Sequence, residues 1–244
     1  MTRPSEAKLE ILADPEALAH RVADWLLAAA TAKNGVFAIA LSGGSTPRRL
    51  YELLAHPPYR EAFPWSRTHW FWGDERYVPH EDVRSNYHMV HEALLAHAPI
   101  PSINIHRIPT EGVSSQAAAG VYEDELKSFY GADRLDKNRQ LFDVVLLGLG
   151  SDGHTASLFP GSNVLEIRER WVAAVTRGNS EARITLTYPA LESSRHLAFL
   201  VAGAEKRAAF GGLRRGDDSL PAARLNPSGE LIYFVDQAAA GTRT

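Results

Sequence analysis

Short apolar segments alternate along the chain with segments in which apolar residues recur every three or four positions. Each short segment has five or six residues and predicts a strand buried within a sheet. These segments are 36–41, 68–72, 104–108, 142–147, 171–175, 196–201 and 231–235. The segments between them predict helices at 15–33, 47–55, 86–97, 114–130, 188–192 and 204–213. Because strands alternate with helices, we expect an α/β fold in which helices cover both faces of a mainly parallel sheet.

Polar residues at the predicted helix starts support these boundaries. Asp14 stands before Pro15, which is the residue favoured at the first position of a helix. We expect Ser45 or Thr46 to cap the second helix and Ser85 to cap the third. No repeat, low-complexity tract or linker divides the sequence, so we predict a single domain over residues 1–244.

Composition and charge narrow the class of function. The chain has 244 residues, of which 45% are hydrophobic and 23% charged, as in ordinary globular proteins. A formal net charge of −3 provides no basic surface for nucleic acid or an anionic membrane. The absence of cysteine excludes disulfides, thiolate nucleophiles and cysteine-bound zinc. With no long apolar run and no apolar core near the start, we expect a cytoplasmic protein that acts on a small molecule.

A glycine-rich loop between a predicted strand and a predicted helix is the first candidate site. Its sequence is Ser42-Gly43-Gly44-Ser45-Thr46-Pro47. Backbone N–H groups at the start of a helix favour an anion, and a single phosphate group suits this loop. The loop is not a Walker A motif, and it lacks the third glycine of the dinucleotide fingerprint. The alternative is a plain helix cap without a ligand.

Two acids and an arginine follow the aromatic strand at 68–72 as the second candidate site. These residues are Asp74, Glu75 and Arg76. They are either a solvated ion pair or part of a site at the carboxyl edge of the sheet. At that edge, the guanidinium of Arg76 would contact a phosphate or a developing oxyanion.

The third candidate site follows the strand at 142–147 and contains three glycines. Its sequence is Gly148-Leu149-Gly150-Ser151-Asp152-Gly153-His154. Glycines permit a sharp turn and a close approach to a ligand, and the imidazole of His154 is a suitable general base. The alternative is a tight connection with a solvated histidine. We also expect a short helix over 155–159, whose N-terminus would disfavour a positive charge on His154, whereas a neighbouring Asp152 would favour it.

These strings together resemble the 6-phosphogluconolactonases of the pentose phosphate pathway. The matching strings are Ser42 to Pro47, Asp74-Glu75-Arg76 with Ser85-Asn86, Gly148 to Pro160, and Arg183-Ile184-Thr185. They occur in the family's order over residues 36 to 210. The resemblance implies a Rossmann-like α/β/α sandwich with a mainly parallel sheet, similar to glucosamine-6-phosphate deaminase.

The resemblance also implies an activity and roles for named residues. The activity is hydrolysis of 6-phospho-D-glucono-1,5-lactone to 6-phospho-D-gluconate, with His154 as the base and Asp152 beside it. Phosphate would bind to Gly43, Gly44 and Ser45 with help from Arg183 and Lys206. The remaining substrate contacts would be Ser42, Asp74 and Arg76. We expect no cofactor and no metal, since His88 and His91 lack the glutamate of a His-Glu-x-x-His motif. The partner would be a phosphorylated sugar lactone, and the protein a monomer or small homo-oligomer.

Two alternatives remain. A sugar-phosphate isomerase or deaminase would share the fold, but deaminases have an acidic residue after the Asp-Gly-His string. This chain has Ser157-Leu158-Phe159-Pro160 there, which favours hydrolysis over deamination. A non-catalytic sugar-phosphate sensor would need a DNA-binding helix-turn-helix and a basic patch, and the first 35 residues provide neither.

Overall fold

Seven parallel strands form the main sheet in the computed structural model, which describes residues 7–176 and 180–241. In chain order they are β1 (Lys8–Leu12), β2 (Phe37–Leu41), β3 (Thr68–Trp72), β5 (Ile105–His106), β6 (Phe142–Leu147), β9 (Ser194–Val201) and β10 (Glu230–Asp236). Across the sheet the order is β1-β10-β9-β6-β2-β3-β5. Every residue of β2 and β6 is buried. Their unbroken apolar sequences are therefore explained by helices on both faces.

The helices cover both faces of this sheet, as predicted. They are α1 (Pro15–Ala32), α2 (Ser45–Leu54), α3 (Tyr59–Ala62), α4 (Asn86–Val90) with a π-helical extension (His91–Leu95), α5 (Ser115–Tyr130), α6 (Tyr188–Glu192), α7 (Arg207–Arg215) and α8 (Gln237–Ala240). Phe71 of β3 contacts Phe129 of α5, whereas Trp72 contacts Tyr87 of α4. Since neighbouring strand residues point to opposite faces, α4 and α5 lie on opposite sides.

A second, antiparallel sheet lies beside the main one and was not predicted. Its strands are β4 (Asp74–Arg76), β7 (Val172–Val175) and β8 (Arg183–Leu186), in the order β4-β8-β7. The segment 171–175 was expected in the parallel sheet and belongs here instead. The strands β4 and β8 escaped prediction because they are short and begin with charged residues, which gives no apolar period to detect.

Other differences from the predictions are local. The edge strand β1 was missed, although Leu9 and Ile11 alternate with polar neighbours. The predicted caps of α1 and α4 are confirmed, since Asp14 and Ser85 cap these helices through side-chain oxygens. Ser114 caps α5 in the same way. The helix α2, however, starts at Ser45 rather than Pro47.

Connections at one edge of the main sheet bring the candidate segments together. The strands β2, β6 and β9 are parallel neighbours, so their carboxyl ends lie at the same edge. The segments that follow them are the glycine loop (42–47), the histidine loop (148–160) and the turn at 202–206. The small sheet adds its strand β4 directly after Gly73, whose N–H donates to Leu41 O at 2.8 Å. The sheet edge is thus a meeting point for distant parts of the sequence.

Candidate active site

A cleft of about 230 Å³ opens at this edge, and most of the predicted site residues line it. The lining includes Ser42, Gly43, Gly44, Ser45, Asp74, Arg76, His154, Arg183 and Lys206. Asp152 does not line the cleft but lies behind His154. Five segments that are far apart in sequence therefore contribute to one concave site.

His154 and Asp152 form a close pair. Asp152 Oδ1 lies 2.5 Å from His154 Nδ1 and also accepts the backbone N–H of His154 at 3.2 Å. If the carboxylate accepts the Nδ1 proton, the lone pair of the neutral ring lies on Nε2. The imidazole lies across Gly150, where an added Cβ would be 2.0 Å from Nδ1. Glycine at position 150 is therefore a steric requirement of this ring position.

The histidine loop is a series of turns rather than the start of a helix. Gly150 N donates to His154 O at 2.8 Å, and Thr155 Oγ1 donates to Gly148 O at 2.8 Å. Thr155 and Leu158 then form an isolated bridge, with Ala156 at φ 47°. The predicted short helix over 155–159 is wrong, so no helix N-terminus acts on His154. A non-glycine residue in the left-handed region is strained, and such residues concentrate at functional sites.

The glycine loop presents the N-terminus of α2 to the cleft. Gly44 occupies the N-cap with φ 105°, and no side chain caps this helix end. The prediction that Ser45 or Thr46 is the cap is therefore wrong; both residues lie in the first turn. The hydroxyl of the buried Tyr51 donates to Ser42 O and accepts from Ser42 N, which anchors the loop. Free first-turn N–H groups with a positive dipole end form an anion-binding arrangement.

Three cations surround the cleft, and one of them, Arg183, has the carboxylate of Glu181 at 3.8 Å from its guanidinium. Arg76 on β4 pairs directly with Arg183 on β8. In the described part of the chain, neither Nε atom has a hydrogen-bond partner, although both are buried. Burial lowers the pKa of Arg183, and the positive charge of Arg76 adds to this effect. Lys206 makes no ion pair within residues 7–176 and 180–241. An anion in the cleft would offset this repulsion.

Two carboxylates beside these cations are held by hydrogen bonds. Asp74 Oδ2 accepts the Ser157 hydroxyl at 2.6 Å, which joins the small sheet to the histidine loop. Glu75 is 1% exposed, and its carboxylate accepts from residues at the start of α4. Burial raises the pKa of Glu75 to about 7, although three backbone N–H groups act in the opposite direction. The sequence left Glu75 open between a solvated ion pair and a part of the site at the sheet edge, and in the structure it is a buried acid beside the cleft.

Two lining or supporting residues were quoted in the sequence strings but were given no role in the site. Asn86, at the start of α4, lines the cleft, and Ser157 lies fully buried behind Asp74. The Ser85-Asn86 string was visible in the sequence, but the contact with Asp74 depends on the folded chain.

Among the described residues, no group of three or more His, Asp or Glu side chains is arranged to hold a metal ion. Nor does the described part contain a helix long and apolar enough to span a membrane.

Comparisons with known proteins place this geometry in a known group. A family model described as glucosamine-6-phosphate isomerases/6-phosphogluconolactonase matches residues 13–233. A 6-phosphogluconolactonase from Synechocystis sp. is 43% identical over 215 residues, which cover 86% of each chain. The crystal structure of 6-phosphogluconolactonase from Thermotoga maritima has a TM-score of 0.79 at 30% identity, covering 94% of this chain and 99% of that chain.

A more distant structure bears on the fold alone. A monomeric glucosamine-6-phosphate deaminase has a TM-score of 0.82 at 20% identity, covering 97% of this chain and 100% of that chain. The predicted Rossmann-like α/β/α sandwich with a mainly parallel sheet, similar to this deaminase, is therefore confirmed.

Proposed function

The chain belongs to the glucosamine-6-phosphate isomerase/6-phosphogluconolactonase family, and from that premise we propose that it hydrolyses 6-phospho-D-glucono-1,5-lactone to 6-phospho-D-gluconate. The observation that best supports this proposal is the paired His154 and Asp152 in a cleft that also contains three cations. A general base and an anion-binding side are what the hydrolysis of a phosphorylated lactone needs.

His154 is proposed as the general base. Its Nε2 takes a proton from water as the oxygen attacks the lactone carbonyl carbon, which forms a tetrahedral oxyanion. Collapse of this intermediate breaks the bond between C1 and the ring oxygen, and the imidazolium returns the proton to that oxygen. Asp152 holds the ring and stabilises its charged form, as its 2.5 Å contact with Nδ1 suggests.

The phosphate is proposed to bind at the glycine loop. Gly43, Gly44 and Ser45 offer backbone N–H groups at the start of α2, and Arg183 and Lys206 supply charge. The unpartnered Nε of Arg183 supports this assignment, since a buried guanidinium donor should have an acceptor in the functional state.

The remaining predicted contacts complete the substrate site. Arg76 stands opposite Arg183 and is proposed to contact the substrate's phosphate or the oxyanion, and Asp74 to accept a sugar hydroxyl. Ser42 Oγ donates to Gly43 O at 3.2 Å and has no general base as partner among the described residues, so we assign it a binding role rather than a nucleophilic one. One domain and a cytoplasmic location remain predictions.

The test is lactone hydrolysis measured by stopped flow against the spontaneous rate. We expect a rate far above that background with 6-phosphogluconolactone. The matched substrate is glucono-1,5-lactone, which lacks the phosphate and should be a much poorer substrate. Ammonia release from glucosamine 6-phosphate, without lactone hydrolysis, would show that the proposed reaction is wrong.

A further inference from the structure

Asn86 lies where separate segments of the cleft meet. Its Nδ2 donates to the backbone oxygen of Asp74 at 2.8 Å and lies 3.4 Å from Asp74 Oδ1. Its Oδ1 lies against Gly43, where an added Cβ would be only 2.0 Å away. The side chain is 3% exposed, so it is confined between these two neighbours. The glycine loop and the strand β4 are thus in contact through one carboxamide.

Glu75 fixes the backbone that carries Asn86. Glu75 Oε1 accepts from the backbone N–H of Asn86 and from its own neighbour Arg76, both at 2.7 Å. Glu75 Oε2 accepts from Tyr87 N at 2.7 Å and from the Ser85 hydroxyl at 3.0 Å. These bonds tie the start of α4 to β4. The position of the carboxamide is therefore set both by the bonds of Glu75 to the backbone of α4 and by the contacts of the side chain with Asp74 and Gly43.

The glycine at position 43 is explained by this contact. Gly43 lies outside the left-handed region, so its backbone would accept an alanine. What the site cannot accept is the side chain, because the carboxamide of Asn86 fills that space. Gly44 differs, since its φ of 105° is the reason for its glycine.

From this arrangement we propose that Asn86 is a positioning residue, which sets the glycine loop at a fixed distance from Asp74 and Arg76. In this role it allows the glycine loop to bind the phosphate end of a ligand while Asp74 and Arg76 bind its sugar end. The inference rests on the proposed function, because it assigns these two sides to one phosphorylated sugar. It does not place Asn86 in the chemical step.

A double-mutant cycle tests the contact directly. We expect Gly43→Ala and Asn86→Ala each to raise KM for the lactone roughly three- to tenfold, with kcat within about threefold of wild type. The double variant should be no worse than Asn86→Ala alone, because removal of the carboxamide makes room for the new methyl group. A double variant whose loss equals the product of the single losses would overturn the proposal.

Asn104 provides a matched control. It is also buried, and its Nδ2 donates to Ser66 O at 3.1 Å. Asn104 does not line the cleft. Asn104→Ala should lower the melting temperature while leaving KM unchanged. If Asn86→Ala lowers stability to the same degree and also leaves KM unchanged, its role is structural and the proposal fails.

A second pair of variants keeps the test available if Asn86→Ala does not fold. Glu75→Gln retains the volume but turns an amide toward the donors of α4, and it should raise KM in the same way. Its control is Glu123→Gln, since Glu123 likewise accepts the N–H groups of Trp171 and Val172 but does not line the cleft. Equal kinetics in the two variants would overturn the inference.

Calorimetric binding of 6-phosphogluconate separates this inference from the proposed function. A wild-type protein that binds this product without hydrolysing the lactone would disprove the function, and weaker binding by Asn86→Ala would still support the positioning role. Unchanged affinity in Asn86→Ala would overturn the positioning role alone. A wild-type protein that shows neither binding nor hydrolysis would overturn both.

Discussion

The histidine loop and the cation-bearing side of the cleft are built in different ways. The histidine loop fixes its own shape, because hydrogen bonds join Gly150 to His154 and Thr155 to Gly148 within a few residues. The cations Arg76, Arg183 and Lys206 instead come from two strands of the small sheet and the turn after β9. The imidazole of His154 is thus positioned by its own loop, whereas the positions of the three cations depend on the packing of distant segments. Substitutions on the two sides should therefore change different kinetic constants.

The largest effect should come from the base itself. We expect His154→Asn to lower kcat by about 10²–10⁴-fold, which is the usual contribution of a general base. Stopped-flow hydrolysis with the spontaneous rate subtracted measures this effect. Near-normal turnover by a folded variant would mean that another group activates the water.

A purely steric change in the same loop should have the next largest effect. Gly150→Ala places a methyl group where the imidazole of His154 lies, so the ring must move. A displacement of about 1 Å in a reacting group costs up to about a hundredfold in rate, and we expect a loss of that order in kcat with little change in KM. Gly120→Ala is the control, since an added Cβ there meets no atom within 4 Å. A large rise in KM would contradict the separation of the two sides.

On the binding side, Arg183→Ala should mainly weaken substrate affinity. A charge-assisted hydrogen bond to phosphate contributes about 1.5–3 kcal/mol, so KM should rise roughly ten- to a hundredfold while kcat changes less. Arg195→Ala removes an exposed arginine of β9 that does not line the cleft, and its KM should not change. Steady-state kinetics of both variants decide the matter. An unchanged KM in Arg183→Ala would remove this residue from the site.

The last effect concerns stability rather than kinetics, namely its pH dependence on the binding side. The pKa of Glu75, about 7 in the folded protein against an ordinary 4.5, means that the folded state holds this proton more tightly. Its contribution to the unfolding free energy is therefore fully present below about pH 4.5 and is lost as the pH rises through 7. This difference corresponds to about 3 kcal/mol.

Urea unfolding of wild type and Glu75→Gln between pH 5 and 8 checks this linkage. The variant should lose the decline in stability toward neutral pH, whereas Glu81→Gln, an exposed acid of the neighbouring turn, should retain it. Parallel curves for all three proteins would show that Glu75 does not titrate in this range.

Much of this architecture is predictable because buried strands and helices have a characteristic spacing of apolar residues in the sequence. The strand β3 at Thr68–Trp72 and the helix α6 at Tyr188–Glu192 were predicted with their observed bounds. The small sheet was not, since β4 consists of three charged residues, two of which are buried by their bonding partners rather than by apolar character. The pattern of apolar positions predicts which apolar residues are buried. It does not predict which polar residues are buried through hydrogen bonds with one another.

The candidate site follows the same rule. Motif strings identified the residues of the cleft lining because these residues cluster in short loops. The contacts of Asn86 with Gly43, and of Ser157 with Asp74, join residues more than 40 positions apart and leave no local trace. The predicted helix after His154 was wrong for a related reason. Its apolar residues are buried by contacts with other segments, and the loop closes on itself through Thr155 and Leu158.

The pairing of Arg76 with Arg183 has a consequence for motion in the ligand-free protein. Two like charges on adjacent strands oppose the pairing of β4 with β8, so this edge of the small sheet should open more often when no anion is present. Its amide hydrogens would then exchange with solvent quickly in the free protein and slowly in the bound one. Substrate occupancy would thereby set how long two strands stay paired, and catalysis would begin from a protein that the ligand itself has made more rigid.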